Sequence, residues 1–316
     1  MSLKELNRNF IMEIDNLTKH FGELVAVDHL SFKVKEGEFF GFLGLNGAGK
    51  TTTVRILTGV IKADGGDAFI AGFRAGSLRA KQITGVLPEM ANAYPDLSAW
   101  DNMMLMCELY GVPAGMAREK SKSMLEEVGL FQRRNEPTKS YSKGMKQRLI
   151  LCMALVNDPT VLFLDEPTSG LDVQSARLMK DMLQKLNRAG KTIFLTTHNM
   201  DEANQLCDRV AIINRGKIVA LDTPEKLRLA TSSKHSVEVS FATPVDANAL
   251  SQLPGVIDMQ TIGDKYRLYT KDPGELAVSL VKYCSVHGHR IISLNILAPS
   301  LEDAFVALTQ KESEHA

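Results

Sequence analysis

Residues 44–51 read Gly44-Leu45-Asn46-Gly47-Ala48-Gly49-Lys50-Thr51. This fits the pattern G-x-x-x-x-G-K-[ST], whose glycines let the backbone wrap so that several N–H groups point at the phosphates of a nucleotide. Lys50 adds a mobile cation, and the Thr51 hydroxyl is placed to bind Mg2+. Just before it, Phe39-Phe40-Gly41-Phe42-Leu43 reads as a buried strand; just after it, Thr51–Val60 reads as a helix closed by Gly59. Such a helix turns its positive end toward the same phosphates. A Gly-rich turn with a solvated lysine would need no strand before it and no helix after it. The dinucleotide fingerprint G-x-G-x-x-G fails, because Thr52 stands where its third glycine belongs. Gly44, Leu45, Asn46, Gly47, Ala48, Gly49, Lys50, Thr51 and Thr52 are therefore the candidate nucleotide contacts.

Working outward, Val161-Leu162-Phe163-Leu164-Asp165-Glu166 is an apolar strand ending in two carboxylates. At the C-terminal edge of a parallel sheet they face the same crevice as the phosphate loop. Asp165 can hold Mg2+ through water, and Glu166 can polarise the water that attacks the γ-phosphate. Thr192–His198 is a second apolar strand, and it ends on a histidine. His198 either donates a hydrogen bond to the γ-phosphate and senses its loss, or serves only the structure. Helices alternate with these strands, over 141–156 and 172–189, which indicates an α/β domain with a parallel sheet. Residues 96–140 carry helical spacing and look like an all-helical insertion.

Beyond residue 220 the pattern changes. Pro224 opens a short helix, and Thr231-Ser232-Ser233-Lys234 reads as a linker. A strand (235–241), a helix (245–253), two strands around Asp264-Lys265, a helix (273–284) and a strand (290–297) follow. That βαββαβ order is ferredoxin-like. The expected organisation is a nucleotide-binding domain over 11–230 and a C-terminal accessory domain over 235–310, with a polar, frayed start at residues 1–9.

Composition narrows the class. The 316 residues, 37 basic and 37 acidic, have zero net charge, which argues against a protein that coats nucleic acid. On either side of residue 220 the balance is +3 (28 basic, 25 acidic) and −3 (9 basic, 12 acidic), so neither part is a charged arm. No apolar run nears the roughly 20 residues that span a bilayer, and the N-terminus lacks the apolar core of a secretory signal. Cys107, Cys152, Cys207 and Cys284 form no CxxC pair, which points to a reducing, cytoplasmic compartment and away from zinc or disulfides.

Between the phosphate loop and the acidic strand lies Tyr141-Ser142-Lys143-Gly144-Met145-Lys146-Gln147-Arg148; after the strand come Ser169-Gly170-Leu171-Asp172 and then His198. Over residues 11–225 this ordered set resembles the nucleotide-binding subunit of ABC transporters. The resemblance implies a P-loop ATPase whose cofactors are ATP and Mg2+. It also implies head-to-tail closure of two subunits, as a homodimer or pseudo-symmetric pair, around two ATP molecules. By resemblance, Ser142 and Gly144 would meet the γ-phosphate in trans, with Met145 a further nucleotide contact, Asp172 would link the two sites, and Phe21 would stack on adenine; the lesser alternative for Phe21, beside a strand, is a core residue. Two positions depart from the family pattern. Lys143 replaces a signature glycine, where it either adds a cation near phosphate or faces solvent. Glu89 stands where a glutamine is usual; it can still coordinate Mg2+ but, ionised, cannot donate a hydrogen bond.

The YSKGMKQR form, the βαββαβ region and the closing Pro299-Ser300-Leu301-Glu302-Asp303-Ala304-Phe305 are similar to daunorubicin-resistance-type exporter ATPases. These pair with a separate membrane subunit to export drugs, lipids or other amphiphiles. The implied location is peripheral, on the cytoplasmic face of the inner membrane. Trp100, Met103, Met104, Leu105 and Met106 either form an adaptable contact for the membrane partner or fill the helical core. The alternative function is a soluble ATPase acting as a regulatory or nucleic-acid- or ribosome-associated switch. A coiled-coil repair ATPase would need hundreds of residues between Lys50 and Ser142, where about ninety stand.

Overall fold

The computed structural model describes residues 10–89, 93–230, 235–297 and 300–313. The expected frayed start at 1–9, the linker at 231–234 and Pro299 of the closing motif lie outside the described residues. The chain divides into two compact units, 1–223 and 224–316.

In chain order the first unit contains β1 (Phe10–Phe21), β2 (Leu24–Lys35), β3 (Phe39–Leu43), α1 (Lys50–Leu57), β4 (Gly65–Ile70), β5 (Phe73–Arg74), α2 (Leu78–Gln82) and β6 (Thr84–Leu87). Then come α3 (Ala99–Leu109), α4 (Ala114–Glu127), α5 (Lys143–Ala154), β7 (Val161–Asp165), α6 (Val173–Arg188), β8 (Thr192–Thr197), α7 (Met200–Leu206), β9 (Arg209–Asn214) and β10 (Lys217–Asp222). One sheet has the order β10-β9-β3-β8-β7-β6 and is parallel except for β10; an antiparallel sheet has the order β2-β1-β4-β5.

Burial explains the strands. β3, β7 and β8 are buried at every position, as expected for strands covered on both faces. The closing half of β2 alternates, sending Leu30, Phe32 and Val34 inward and Ser31, Lys33 and Lys35 outward. Phe32 joins the two sheets: its ring stacks on Phe40 at 5.5 Å between centroids and approaches Phe42 and Phe194, while Phe163 packs on Phe194. Gly41 lets α7 come close to β3, since a Cβ there would lie 2.7 Å from Cys207 Sγ.

The helical insertion packs α3, α4 and α5 together. Buried Asn102 donates to the carbonyls of Tyr94 and Ser98 and accepts from the Tyr94 N–H, fixing the entry to α3. Met103 is fully buried in this core, whereas Trp100, Met104, Leu105 and Met106 are half-buried.

The second unit contains α8 (Pro224–Ala230), β11 (His235–Phe241), α9 (Ala247–Ser251), β12 (Asp258–Ile262), β13 (Lys265–Thr270), α10 (Pro273–His287), β14 (Ile291–Leu297) and α11 (Leu301–Ser313). Its strands form an antiparallel sheet in the order β12-β13-β11-β14. One face of β11, Val237 and Val239, packs with Leu250, Leu276 and Leu280 of the two helices; the other face carries Glu238, paired with Lys265 at 2.8 Å and Arg267 at 3.2 Å. Helix α8 packs on α11 within this unit.

Sequence patterning marked neither β4, β5, β9 and β10 nor α2, α7 and α11. β4 begins Gly65-Gly66-Asp67, poor strand formers that owe their conformation to pairing with β1. The helix expected over 141–156 is shorter, because Ser142 has extended backbone and caps it. Among the described residues no helix is long and apolar enough to cross a membrane.

Candidate functional site

The loop of residues 44–49 is pinned at both ends and closed by a bond of its own. The Gly44 N–H donates to the Thr197 carbonyl at 3.3 Å, the Ala48 N–H to Leu45 at 3.2 Å, and the Gly216 N–H to Ala48 at 2.9 Å. Gly49, with φ +105°, precedes α1 where a Cβ would lie 2.4 Å from the Ala26 carbonyl oxygen; at Gly44 a Cβ would lie 2.6 Å from that of Ile213. Glycine is therefore required at both by close approach, and at Gly49 by conformation as well. Leu45, Asn46 and Gly47 form the exposed crest, with Ala48 buried beneath it and Thr52 half-buried. The Lys50 ammonium is buried and donates to the carbonyls of Gly44 (2.7 Å) and Leu45 (3.2 Å).

The parallel register brings the rest of the site to the same edge. Leu43 pairs with Thr197, Asp165 with Thr196, and Leu87 with Leu164. Gly44, Glu166, His198 and Glu89 consequently leave the sheet at one end, the crevice outside the strand C-termini. Asp165, 2% exposed, accepts from the Thr51 hydroxyl at 3.3 Å and from the Thr196 hydroxyl. Glu166 is buried with φ +52°, an uncommon backbone conformation for a side-chain-bearing residue. Its Oε2 lies 2.8 Å from His198 Nδ1, and its Oε1 lies 3.3 Å from Lys50 Nζ. The lysine is near enough to balance the charge but not aligned as a donor, so Oε1 has no hydrogen-bond partner. With a carboxylate accepting at Nδ1, that nitrogen carries the proton, and Nε2 of the half-exposed ring is left for a ligand.

The oxygen donors suit Mg2+. The Thr51 hydroxyl and Asp165 carboxylate are adjacent hard ligands, and Glu89 lies exposed two residues beyond β6. Among the described residues no cluster of three or more His, Cys, Asp or Glu could hold a metal by itself. The cation would therefore take its remaining ligands from phosphate and water, its usual habit at nucleotide sites.

The signature residues form a second assembly. The Ser142 hydroxyl accepts from the Met145 N–H at 3.3 Å and caps α5. Gly144 abuts α6, where a Cβ would lie 2.5 Å from Ser175 Oγ. Asp172 caps α6 by accepting from the Ser175 N–H (2.8 Å) and hydroxyl (2.7 Å), bonds that hold its carboxyl below the usual carboxylate range. Lys143 lies over the same loop, its ammonium 2.5 Å from the place a Gly170 Cβ would take. Ser142 and Asp172 thus bond within this assembly, Met145 bonds to Ser142 and accepts from Arg133 at 3.4 Å through Sδ, and none of these bonds reaches the phosphate loop of the same chain. Phe21 is 50% exposed at the end of β1 with Lys19 Nζ 5.5 Å over its ring, so it is not a core residue.

Three contributors went unmarked in the sequence: Thr196, which bonds Asp165, and the pair Thr168 and Glu202, joined at 2.8 Å. A cleft of about 660 Å3 runs past Glu166, Ser169, Gly170, His198 and Glu202. The available signal was position: Thr196 is two residues before His198, and Thr168 is two residues after Glu166.

A family model described as ABC transporter matches residues 27–169. The chain is 36% identical over 304 residues to the Nod factor export ATP-binding protein I of Ralstonia nicotianae, covering 96% of this chain and 94% of that protein. It is 33% identical over 306 residues to the linearmycin resistance ATP-binding protein LnrL of Bacillus subtilis, covering 95% and 98% respectively. Among solved structures it resembles an ATP-binding subunit of an ABC transporter (TM-score 0.64, 26% identity, 70% of this chain and 92% of that one). It also resembles the ATP-binding cassette MJ0796, solved as a dimer in a post-hydrolysis state with ADP and Pi (TM-score 0.61, 25% identity, 67% of this chain and 98% of that one).

Proposed function

This chain belongs to the ABC transporter family as an ATP-binding subunit, and on that premise we propose that it hydrolyses ATP to drive an exporter of drugs, lipids or other amphiphiles. Relatives named for Nod factor export and linearmycin resistance, matched along nearly their whole length, support export over a soluble regulatory or ribosome-associated role. The observation that carries the catalytic reading is the convergence on Glu166 of Lys50 at 3.3 Å and His198 at 2.8 Å, beside the Thr51–Asp165 pair.

In this reading the loop 44–52 cradles the phosphates, Phe21 stacks on the adenine, and Lys50 neutralises the γ-phosphate. Thr51, Asp165 and Glu89 hold Mg2+, which would neutralise charge on the phosphates. Glu166 polarises the attacking water, and His198 donates to the γ-phosphate from Nε2 when the ring carries a proton there as well as on Nδ1. The packing of Ser142, Gly144, Met145 and Asp172 away from their own phosphate loop supports their serving the site of a second subunit, in a homodimer or pseudo-symmetric pair. The first unit, 1–223, would be the ATPase domain and the second an accessory domain. A separate integral membrane subunit, contacted through the half-buried Trp100, Met104, Leu105 and Met106, would hold the protein peripherally on the cytoplasmic face of the inner membrane.

The decisive experiment uses Glu166→Gln. This variant is expected to bind MgATP, to hydrolyse it at least a hundredfold more slowly, about the loss typical of removing a positioned base, and to elute as an ATP-dependent dimer. Turnover at the wild-type rate would overturn the mechanism.

A further inference from the structure

Glu202 lies in α7, four residues beyond His198, and is 2% exposed. Burial pushes its carboxyl above the usual range, against hydrogen bonds from Thr197 and Thr168 that pull it down. The Thr168 hydroxyl donates to Oε1 at 2.8 Å, while Oε2 is buried without a hydrogen-bond partner. A buried carboxyl with one oxygen left unpartnered is costly for a purely structural strut. Its location suggests what it does.

Two cross-links join the loop after β7 to the segment that follows β8. One is Glu166 to His198, in the loop before α7, and the other is Thr168 to Glu202, in the first turn of α7. The second rests on a firm base. The Asn199 side chain accepts from the Glu202 N–H at 3.0 Å, and the Asn199 N–H donates to the Thr197 hydroxyl at 3.0 Å. Glu166 between them is held at φ +52°, a conformation that persists only where its surroundings over-determine it. The backbone supplies part of that restraint, through the Glu166 N–H to the Thr196 carbonyl and the Ser169 N–H to the Glu166 carbonyl, both at 3.1 Å.

We propose that Glu202 is a positioning residue for hydrolysis: its hydrogen bond to Thr168 anchors the loop after Glu166 and sets the direction from which the Glu166 carboxylate meets the attacking water. Glu202 touches neither nucleotide nor water in this role. The inference rests on the reading of Glu166 as the group that polarises water.

The test compares Thr168→Val, Glu202→Ala, Glu202→Gln and Glu166→Gln in the full-length protein. Thr168→Val keeps shape and removes only the donor. We expect kcat to fall about tenfold or more in Thr168→Val and Glu202→Ala, as small misplacements of a reacting group do. MgATP affinity should stay within about twofold. Glu202→Gln, which keeps the acceptor for Thr168, should recover most of kcat. The Thr168→Val/Glu202→Ala double variant should be no slower than the worse single one. Wild-type kcat in folded Thr168→Val would overturn the proposal while a dead Glu166→Gln left the base assignment standing. Full activity in Glu166→Gln would remove the base itself, and both readings with it. Equal losses of kcat and melting temperature in Glu202→Gln and Glu202→Ala would reduce Glu202 to a structural strut.

Discussion

The Lys50 ammonium lies 3.3 Å from Glu166 Oε1, and both side chains are more than 90% buried. The lysine serves as counter-ion to the carboxylate and is held for phosphate by the same two loop carbonyls. Removing one member of a buried pair costs about 3–5 kcal/mol, because the other charge is left uncompensated. Lys50→Met should therefore lose MgATP binding and also melt lower than wild type without nucleotide. Adding Glu166→Gln should recover part of that melting temperature, with a coupling of about 1–3 kcal/mol. Additive melting effects in the two single variants would show that the ion pair carries no net energy.

Glycines 47 and 49 make a graded comparison. Both have positive φ, but Gly47 faces open space whereas a Cβ at Gly49 would strike the Ala26 carbonyl. Gly47→Ala should cost about 1–2 kcal/mol, the ordinary strain of a left-handed alanine. Gly49→Ala should cost clearly more and abolish nucleotide binding, because either the loop or β2 must shift. Denaturant melts and a fluorescent-nucleotide titration measure the two effects; equal behaviour would contradict the close approach.

Glu89 is exposed just past β6, so replacing it by glutamine removes a charge without disturbing packing. An amide oxygen is also a hard ligand for Mg2+. Glu89→Gln should keep substantial ATPase activity, assayed by phosphate release. Complete loss of hydrolysis in a folded variant would show that the carboxylate itself is needed.

All four cysteines are buried thiols. Burial pushes Cys152 up to about 12 and Cys207 well above its ordinary value, so neither offers thiolate near neutral pH. A colorimetric thiol titration at pH 8 should find Cys107, Cys152 and Cys207 unreactive in the native protein and all four thiols reactive in denaturant. Fast labelling of Cys207 would mean that α7 opens from β3.

The legible and illegible parts of the chain separate on physical grounds. β3, β7 and β8 announce themselves because strands buried on both faces read as unbroken apolar runs, and Gly44 just past β3, with Asp165 and Thr197 at the ends of β7 and β8, opens directly onto the site. β4 does not, since its opening Gly65-Gly66-Asp67 owes its conformation to pairing with β1 rather than to its own side chains. Phe21 illustrates a choice that patterning leaves open and exposure decides. Thr168 and Glu202 were illegible for a different cause: threonine and glutamate on a loop and a helix carry no pattern, and only the fold makes them partners.

Strand β3 also sets a timetable. Both of its neighbours arrive late: Phe39 pairs with Ile193 and Phe40 with Arg209. On a ribosome adding about 5–20 residues per second, β3 and the phosphate loop would wait on the order of ten seconds for the strands that flank them. Until then Phe39, Phe40 and Phe42 lack the two strands that flank them, and the phosphate loop lacks the Thr197 and Gly216 bonds that hold its ends, which makes ATP a ligand of the finished domain.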